Sequence, residues 1–179
     1  MKVHPGVKKV VWNYGAAGGL MMVIAFAVFY WLDQQPWRNL ISFLLDAVII
    51  GFFLVLAIRD FKVNRNQNEL RFYHGMTVGF LSFMIMAGFY ALAYAVFVYV
   101  IDPSFIETYI QLAIEDLTSR REILTENIDQ DPDTFMATQI NNVKSITKSQ
   151  LVLDVFLKRT LIGFFLTPVI SIVFRTNQR

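Results

Sequence analysis

The sequence predicts an all-α membrane protein, a four-transmembrane-helix bundle with an extracytoplasmic helical hairpin between helices 3 and 4. Three observations lead to that fold class. Apolar stretches near residues 12–32, 40–58, 73–101 and 151–174 match the roughly 20 helical residues needed to cross about 30 Å of hydrocarbon. The one long polar segment, 102–150, carries its apolar residues at helical spacing. Lysine and arginine gather on alternate connections, as the orientation rule for membrane chains requires. With 55% of its 179 residues hydrophobic and 17% charged, the chain supplies a single membrane domain, 1–179, and no second globular one.

The first stretch follows Lys2, Lys8 and Lys9, as a signal peptide would. It runs too long for one and ends Phe29-Tyr30-Trp31-Leu32-Asp33 with no small-x-small cleavage pattern, so a retained span is expected. Inside it lies Gly15-Ala16-Ala17-Gly18-Gly19, and the third stretch contains Gly75-Met76-Thr77-Val78-Gly79 followed by Ala87, Ala91 and Ala95. Small residues four apart let helix backbones approach closely in lipid, which makes Gly15, Gly19, Gly75 and Gly79 candidate helix-packing positions, within the bundle or between two copies. The third stretch is long enough to project beyond the hydrocarbon, and Tyr90, Tyr94 and Tyr99 approach its outer end.

Asp102-Pro103 then reads as a new helix start, with Asp as N-cap and Pro at the first helical position. A helix from about 103 to 127 follows, with Ile106, Tyr109, Ile110, Ala113, Ile114, Leu117 and Leu124 on one stripe. Asp129-Gln130-Asp131-Pro132-Asp133-Thr134 interrupts it. Asp133 or Thr134 can cap a second helix carrying Met136, Ile140, Val143 and Ile146, drawn as running on into the fourth span. The result is a hairpin whose acids and Arg120 and Arg121 face water.

Charge sets the orientation. Three lysines precede the first span, one cation (Arg38) follows it, four (Arg59, Lys62, Arg65, Arg71) separate the second from the third, and Arg175 and Arg179 end the chain. The segment 102–150 holds nine acids against four bases. Both termini are therefore expected in the cytoplasm and 102–150 outside, with Trp12 at the inner interface and Trp31 and Trp37 at the outer one.

Asp46 is the one acid within an apolar span interior, where a charged carboxylate costs a few kcal/mol unless neutralised or paired. Lys158 and Arg159 enter the fourth span against the positive-inside bias. Counted from the outer ends of their spans, Asp46 and Arg159 sit roughly 10 Å deep at 1.5 Å per residue. Asp46, Lys158 and Arg159 thus form a candidate intramembrane polar cluster, with a salt bridge from Asp46 to Arg159 or Lys158. The alternative is that Asp46 hydrogen-bonds within the bundle, for example with Ser42, while the two cations snorkel to headgroups beside Asp154. Functionally, such charges can line a cavity for an anion, a proton or a lipid phosphate.

Other constellations are weaker. Asp129, Asp131 and Asp133 alternate as in a calcium loop but lack its glycine and terminal glutamate, so a solvated capping turn is expected. With no cysteine and only two histidines, His74 being one, no transition-metal set is expected and no cofactor is assigned. Ser42, Ser82 and Ser171 have no histidine at a common depth, and no catalytic residue is expected. A net charge of +2 gives no reason to invoke nucleic acid. Pro168 should bend the fourth span and free a carbonyl for Thr167 or Ser171.

The order Tyr14-Gly15 to Gly18, Ile50-Gly51-Phe52 through Ala57-Ile58-Arg59-Asp60, Gly75 to Gly79, Tyr99 through Asp102-Pro103, and finally Pro168 resembles the family known as domain of unknown function 4199. The chain departs from that pattern at Asn68–Gly75, where members carry a glycine-rich turn. The resemblance implies a small four-span protein of the bacterial inner membrane. It also implies, by gene association, a membrane glycosyltransferase acting on polyprenyl phosphate as a partner. The function expected is a non-catalytic accessory or structural subunit embedded in the lipid bilayer, binding a larger membrane protein or itself. The alternative is a small-solute, ion or lipid-handling protein using Asp46, Lys158 and Arg159.

Overall fold

The computed structural model describes residues 5–32, 40–126 and 131–176. The expected tight turn 33–39, with Trp37 and Arg38, and Lys2, Asp129 and Arg179 lie outside the described residues. Pro5 opens α1 (Pro5–Trp31), its missing N–H costing nothing in a first turn. Then come α2 (Leu40–Asp60), α3 (Phe72–Val96), α4 (Phe105–Ser119), α5 (Arg121–Thr125), α6 (Pro132–Lys144) and α7 (Lys148–Phe174). Among the described residues there is no strand. Two π-helical turns, Phe61–Arg65 and Phe97–Ile101, prolong α2 and α3. Four helices are long and apolar enough to cross a membrane: Gly6–Trp31, Leu40–Arg65, Phe72–Ile101 and Lys148–Phe174. The fold is that of an all-α, four-span membrane protein.

Each spanning helix outruns its apolar stretch at one end, because what starts and stops a helix is capping rather than hydropathy. The fourth span shows this best. Gln150 Oε1 accepts from the Thr147 N–H at 2.7 Å, and Thr147 Oγ1 accepts from the Gln150 N–H at 3.3 Å. That reciprocal pair is a capping box, so α7 starts afresh at Lys148 instead of continuing from α6.

The chain divides into two compact units, Met1–Ala93 with Asp154–Arg179, and Tyr94–Leu153. In the first, close approaches at glycines fix the packing register. A Cβ on Gly15 would lie 2.8 Å from Ile85, and one on Gly19 would crowd Phe89, so α1 and α3 ascend side by side. A Cβ on Gly75 would meet Ser171, one on Gly79 Thr167, and one on Gly163 Phe83. The numbers rise on α3 as they fall on α7, so those two helices are antiparallel. All four expected packing glycines therefore stand at close helix contacts, and Gly18 and Gly163 join them. The Thr167 hydroxyl donates to the Gly163 carbonyl at 2.7 Å, and the Ser171 hydroxyl is buried without a hydrogen-bond partner. The carbonyl expected to be served near Pro168 is thus not the one Thr167 takes.

At the end of this unit that holds the chain's basic connection, Lys62 Nζ donates to the Phe174 carbonyl at 3.0 Å, a cation on a helix C-terminus. The Thr176 N–H donates to the Leu70 carbonyl at 2.9 Å, and Thr176 Oγ1 accepts from the Leu70 N–H at 2.9 Å. Gln67 (φ 52°) and Asn68 (φ 64°) take the left-handed conformation to turn the chain between α2 and α3.

In the second unit α4 packs on α6. Phe97 and Phe105 meet edge to face with centroids 5.2 Å apart, and Tyr94 meets Phe105 likewise at 6.0 Å. The expected single helix over 103–127 is two, α4 and α5, broken at Arg120. Its start is also displaced. Ser104 occupies the N-cap and donates its hydroxyl to Asp102 Oδ1 at 2.6 Å. Neither Asp133 nor Thr134 caps α6. Asp131 does, accepting from the Thr134 N–H at 3.0 Å and its hydroxyl at 2.9 Å, with Pro132 in the first turn. Those bonds from Thr134 hold the Asp131 carboxyl below the usual carboxylate range. Asp133 instead forms an ion pair with Arg121.

Candidate intramembrane polar site

The site stands on three helices of the first unit. α2 brings Asp46, seventh of its residues, onto the face that also buries Ser42, Ile49 and Ile50. The spacing 42, 46, 49, 50 is the inward stripe of an amphipathic helix, and Asp46 occupies a position on it that an apolar side chain would otherwise take. α7 brings Arg159. Arg159 Nη2 lies 2.5 Å from Asp46 Oδ2, with only 11% and 5% of the two side chains exposed. Arg159 Nη1 also donates to the Val155 carbonyl at 3.3 Å.

α3 supplies the third member. The Tyr90 ring lies under the guanidinium, 4.1 Å from ring centroid to Cζ, and is itself buried. Phe26 of α1 meets Tyr90 edge to face at 6.1 Å. An arginine can hold such a position where a lysine cannot. Its planar fork reaches a carboxylate and a carbonyl while its face stacks on a ring, and it is more weakly hydrated than an ammonium. A desolvated cation over an aromatic face gains about 2 kcal/mol, on the scale of the few kcal/mol that a charge in the bilayer costs.

Of the three residues in the expected cluster, Asp46 and Arg159 meet and Lys158 does not. Lys158 Nζ pairs with Asp154 Oδ2 at 2.6 Å one turn earlier on α7, both side chains about half exposed. The reason is helical geometry: adjacent residues point about 100° apart, so one of the pair turns inward and the other outward. Tyr90 was legible only as an interfacial aromatic. The signal that singles it out is its position on the buried stripe with Phe83, Met86, Ala87 and Tyr94.

The Arg159 Nε of the pair is buried without a hydrogen-bond partner, as is Thr160 Oγ1 on the next residue of α7. Chemically the arrangement joins α2, α3 and α7 by one charge-assisted hydrogen bond and one cation–π contact. Among the described residues, no group of three His, Cys, Asp or Glu side chains is placed to hold a metal ion.

Four apolar helices, three of them tied together by a buried ion pair and the aromatic ring beside it, define a small multi-span membrane protein. Its family is shown by sequence. The chain belongs to DUF4199, described as a protein of unknown function, whose model matches residues 13–176. Comparisons with curated proteins and with solved structures return no match.

Proposed function

We propose that this protein is a non-catalytic accessory subunit of the bacterial inner membrane, with both termini in the cytoplasm and 102–150 outside. Its partner is a larger membrane protein, for which a polyprenyl-phosphate glycosyltransferase is the candidate implied by the family resemblance, or a second copy of itself. The observation carrying this reading is that the buried Asp46–Arg159 pair is consumed in holding helices together, its side chains 11% and 5% exposed. The chemistry of the spans then lies on their outer surface, which is apolar. On α7, Leu161, Phe165, Val169 and Ile172 form an exposed stripe at helical spacing, suited to lipid or to another apolar helix.

The test is native mass spectrometry of the protein released from its own membrane in nanodiscs. A complex of fixed stoichiometry, with itself or with one membrane protein, is expected; a monomer at every protein concentration overturns the reading. The second reading, a polar site for an ion, solute or lipid, is favoured by the unpartnered Arg159 Nε. A flux lost in Asp46→Asn with folding intact would put it first.

A further inference from the structure

One end of the four-helix unit is plugged by an apolar cluster drawn from every element that reaches it. Val7, Val10 and Val11 of α1, Ala57, Ile58 and Phe61 of the α2 end, Leu70 and Val78 are buried together, with Phe174 against them. Each of these segments continues into a cation. Lys8 and Lys9 lie between Val7 and Val10, Arg59 follows Ile58, Arg65 lies one turn beyond Phe61, Arg71 follows Leu70 and Arg175 follows Phe174. All six are exposed. Lys62, beside Phe61, is held by the Phe174 carbonyl. The acids on the same segments are Asp60, which accepts from Asn64, and Glu69. A rigid plug thus pins six outward cations around its rim against two acids.

Next to the rim the surface turns aromatic. Trp12, Phe72 and Tyr73 are 61%, 40% and 54% exposed, on the helices that carry or follow those cations. Amphipathic rings settle at headgroup level, and below them the surface runs on through exposed Phe52 and Phe80. The order apolar, aromatic, cationic is that of a leaflet read from tails to headgroups, which makes lipid the fitting occupant rather than an acidic protein.

We propose that this collar selects anionic phospholipids, those whose headgroup carries a phosphodiester and no compensating amine, for the leaflet in which it lies. A zwitterionic headgroup presents its own cation to the collar and loses much of the attraction. An anionic one keeps it, and six cations with fixed anchor points draw several such lipids to one rim.

The experiment uses Trp12 as reporter. The chain has three tryptophans, so Trp31→Phe with Trp37→Phe leaves one, at the collar. The full-length protein is placed in phosphatidylcholine vesicles containing either brominated phosphatidylglycerol or brominated phosphatidylcholine, and the quenching of Trp12 gives the relative binding constant of the two lipids. The anionic lipid should be preferred about fivefold at low salt. The preference should fall towards equality in about 1 M salt, where the Debye length is about 3 Å. Lys8→Gln, Lys9→Gln and Arg71→Gln together should lower it at low salt. Equal quenching by the two lipids at low salt, or a preference that neither salt nor the substitutions reduce, overturns the proposal. Should the triple variant fail to insert, the salt titration of the unsubstituted collar decides alone.

Discussion

Arg159 cannot neutralise itself by releasing a proton, whereas Asp46 can by taking one up, and that asymmetry sets what each half of the pair costs to remove. In Asp46→Asn the guanidinium keeps its charge among α2, α3 and α7, with the Tyr90 side chain and the Val155 carbonyl beside it but no anion to balance it. A loss of about 3–5 kcal/mol is expected, the range for a buried charge left without its partner. Arg159→Gln leaves a carboxylate that can protonate and hydrogen-bond, so the loss should be smaller, about 1–3 kcal/mol. Asp46→Leu with Arg159→Met removes both charges and keeps the volume, and should return stability close to the starting value. Thermal unfolding of the four proteins in one detergent checks all three expectations. If both single variants melt with the native protein, the ion pair contributes nothing to the bundle.

At the scale of the helices, glycines decide how near α3 comes to α7. A methyl group on Gly79 would overlap Thr167, and one on Gly163 would overlap the Phe83 ring. Because Phe83 and Thr167 are both almost wholly buried, neither has room to retreat. Gly79→Ala and Gly163→Ala should each destabilise by about 1–3 kcal/mol, the usual cost of overpacking. Gly88, also on α3, has no atom within 4 Å of the place its Cβ would take. Gly88→Ala should therefore be neutral or stabilising by up to about 1 kcal/mol, through the lower entropy of the unfolded chain. Melting curves of the three variants decide it, and equal effects would show that propensity, not fit, governs this interface. Spacing made Gly75 and Gly79 legible in the sequence, since small residues four apart are a pattern. Gly163 was not, because its counterpart is Phe83 on another helix, and a single glycine among large residues carries no pattern of its own. Caps were misread for a related reason. In Asp131-Pro132-Asp133-Thr134 and in Asp102-Pro103-Ser104 several residues are competent to cap, and which one does so depends on where the preceding chain leaves the backbone.

For the molecule as a whole, the four spans could be read directly, because crossing hydrocarbon demands long apolar helices and little else resembles them. The polar connection could be read only coarsely. Its helices are short, and α4 and α6 are held by contacts with each other that no single-chain periodicity specifies. The proposed orientation rests on a third kind of information, the distribution of charge. Lys8, Lys9, Arg59, Arg65 and Arg71 flank the first three spans on one end, while 102–150 carries nine acids against four bases. A membrane chain keeps its short cation-rich connections in the cytoplasm. The chain has no cysteine, so single cysteines can report this without background. Ser119→Cys, Ser145→Cys, Lys9→Cys and Arg65→Cys all replace exposed residues. In intact bacterial cells a membrane-impermeant maleimide should label the first two and reach the last two only after permeabilisation. Labelling of Arg65→Cys in sealed cells, with Ser119→Cys protected, would invert the topology. It would also place the cationic collar in the outer leaflet, where the positive-inside rule offers no reason for it.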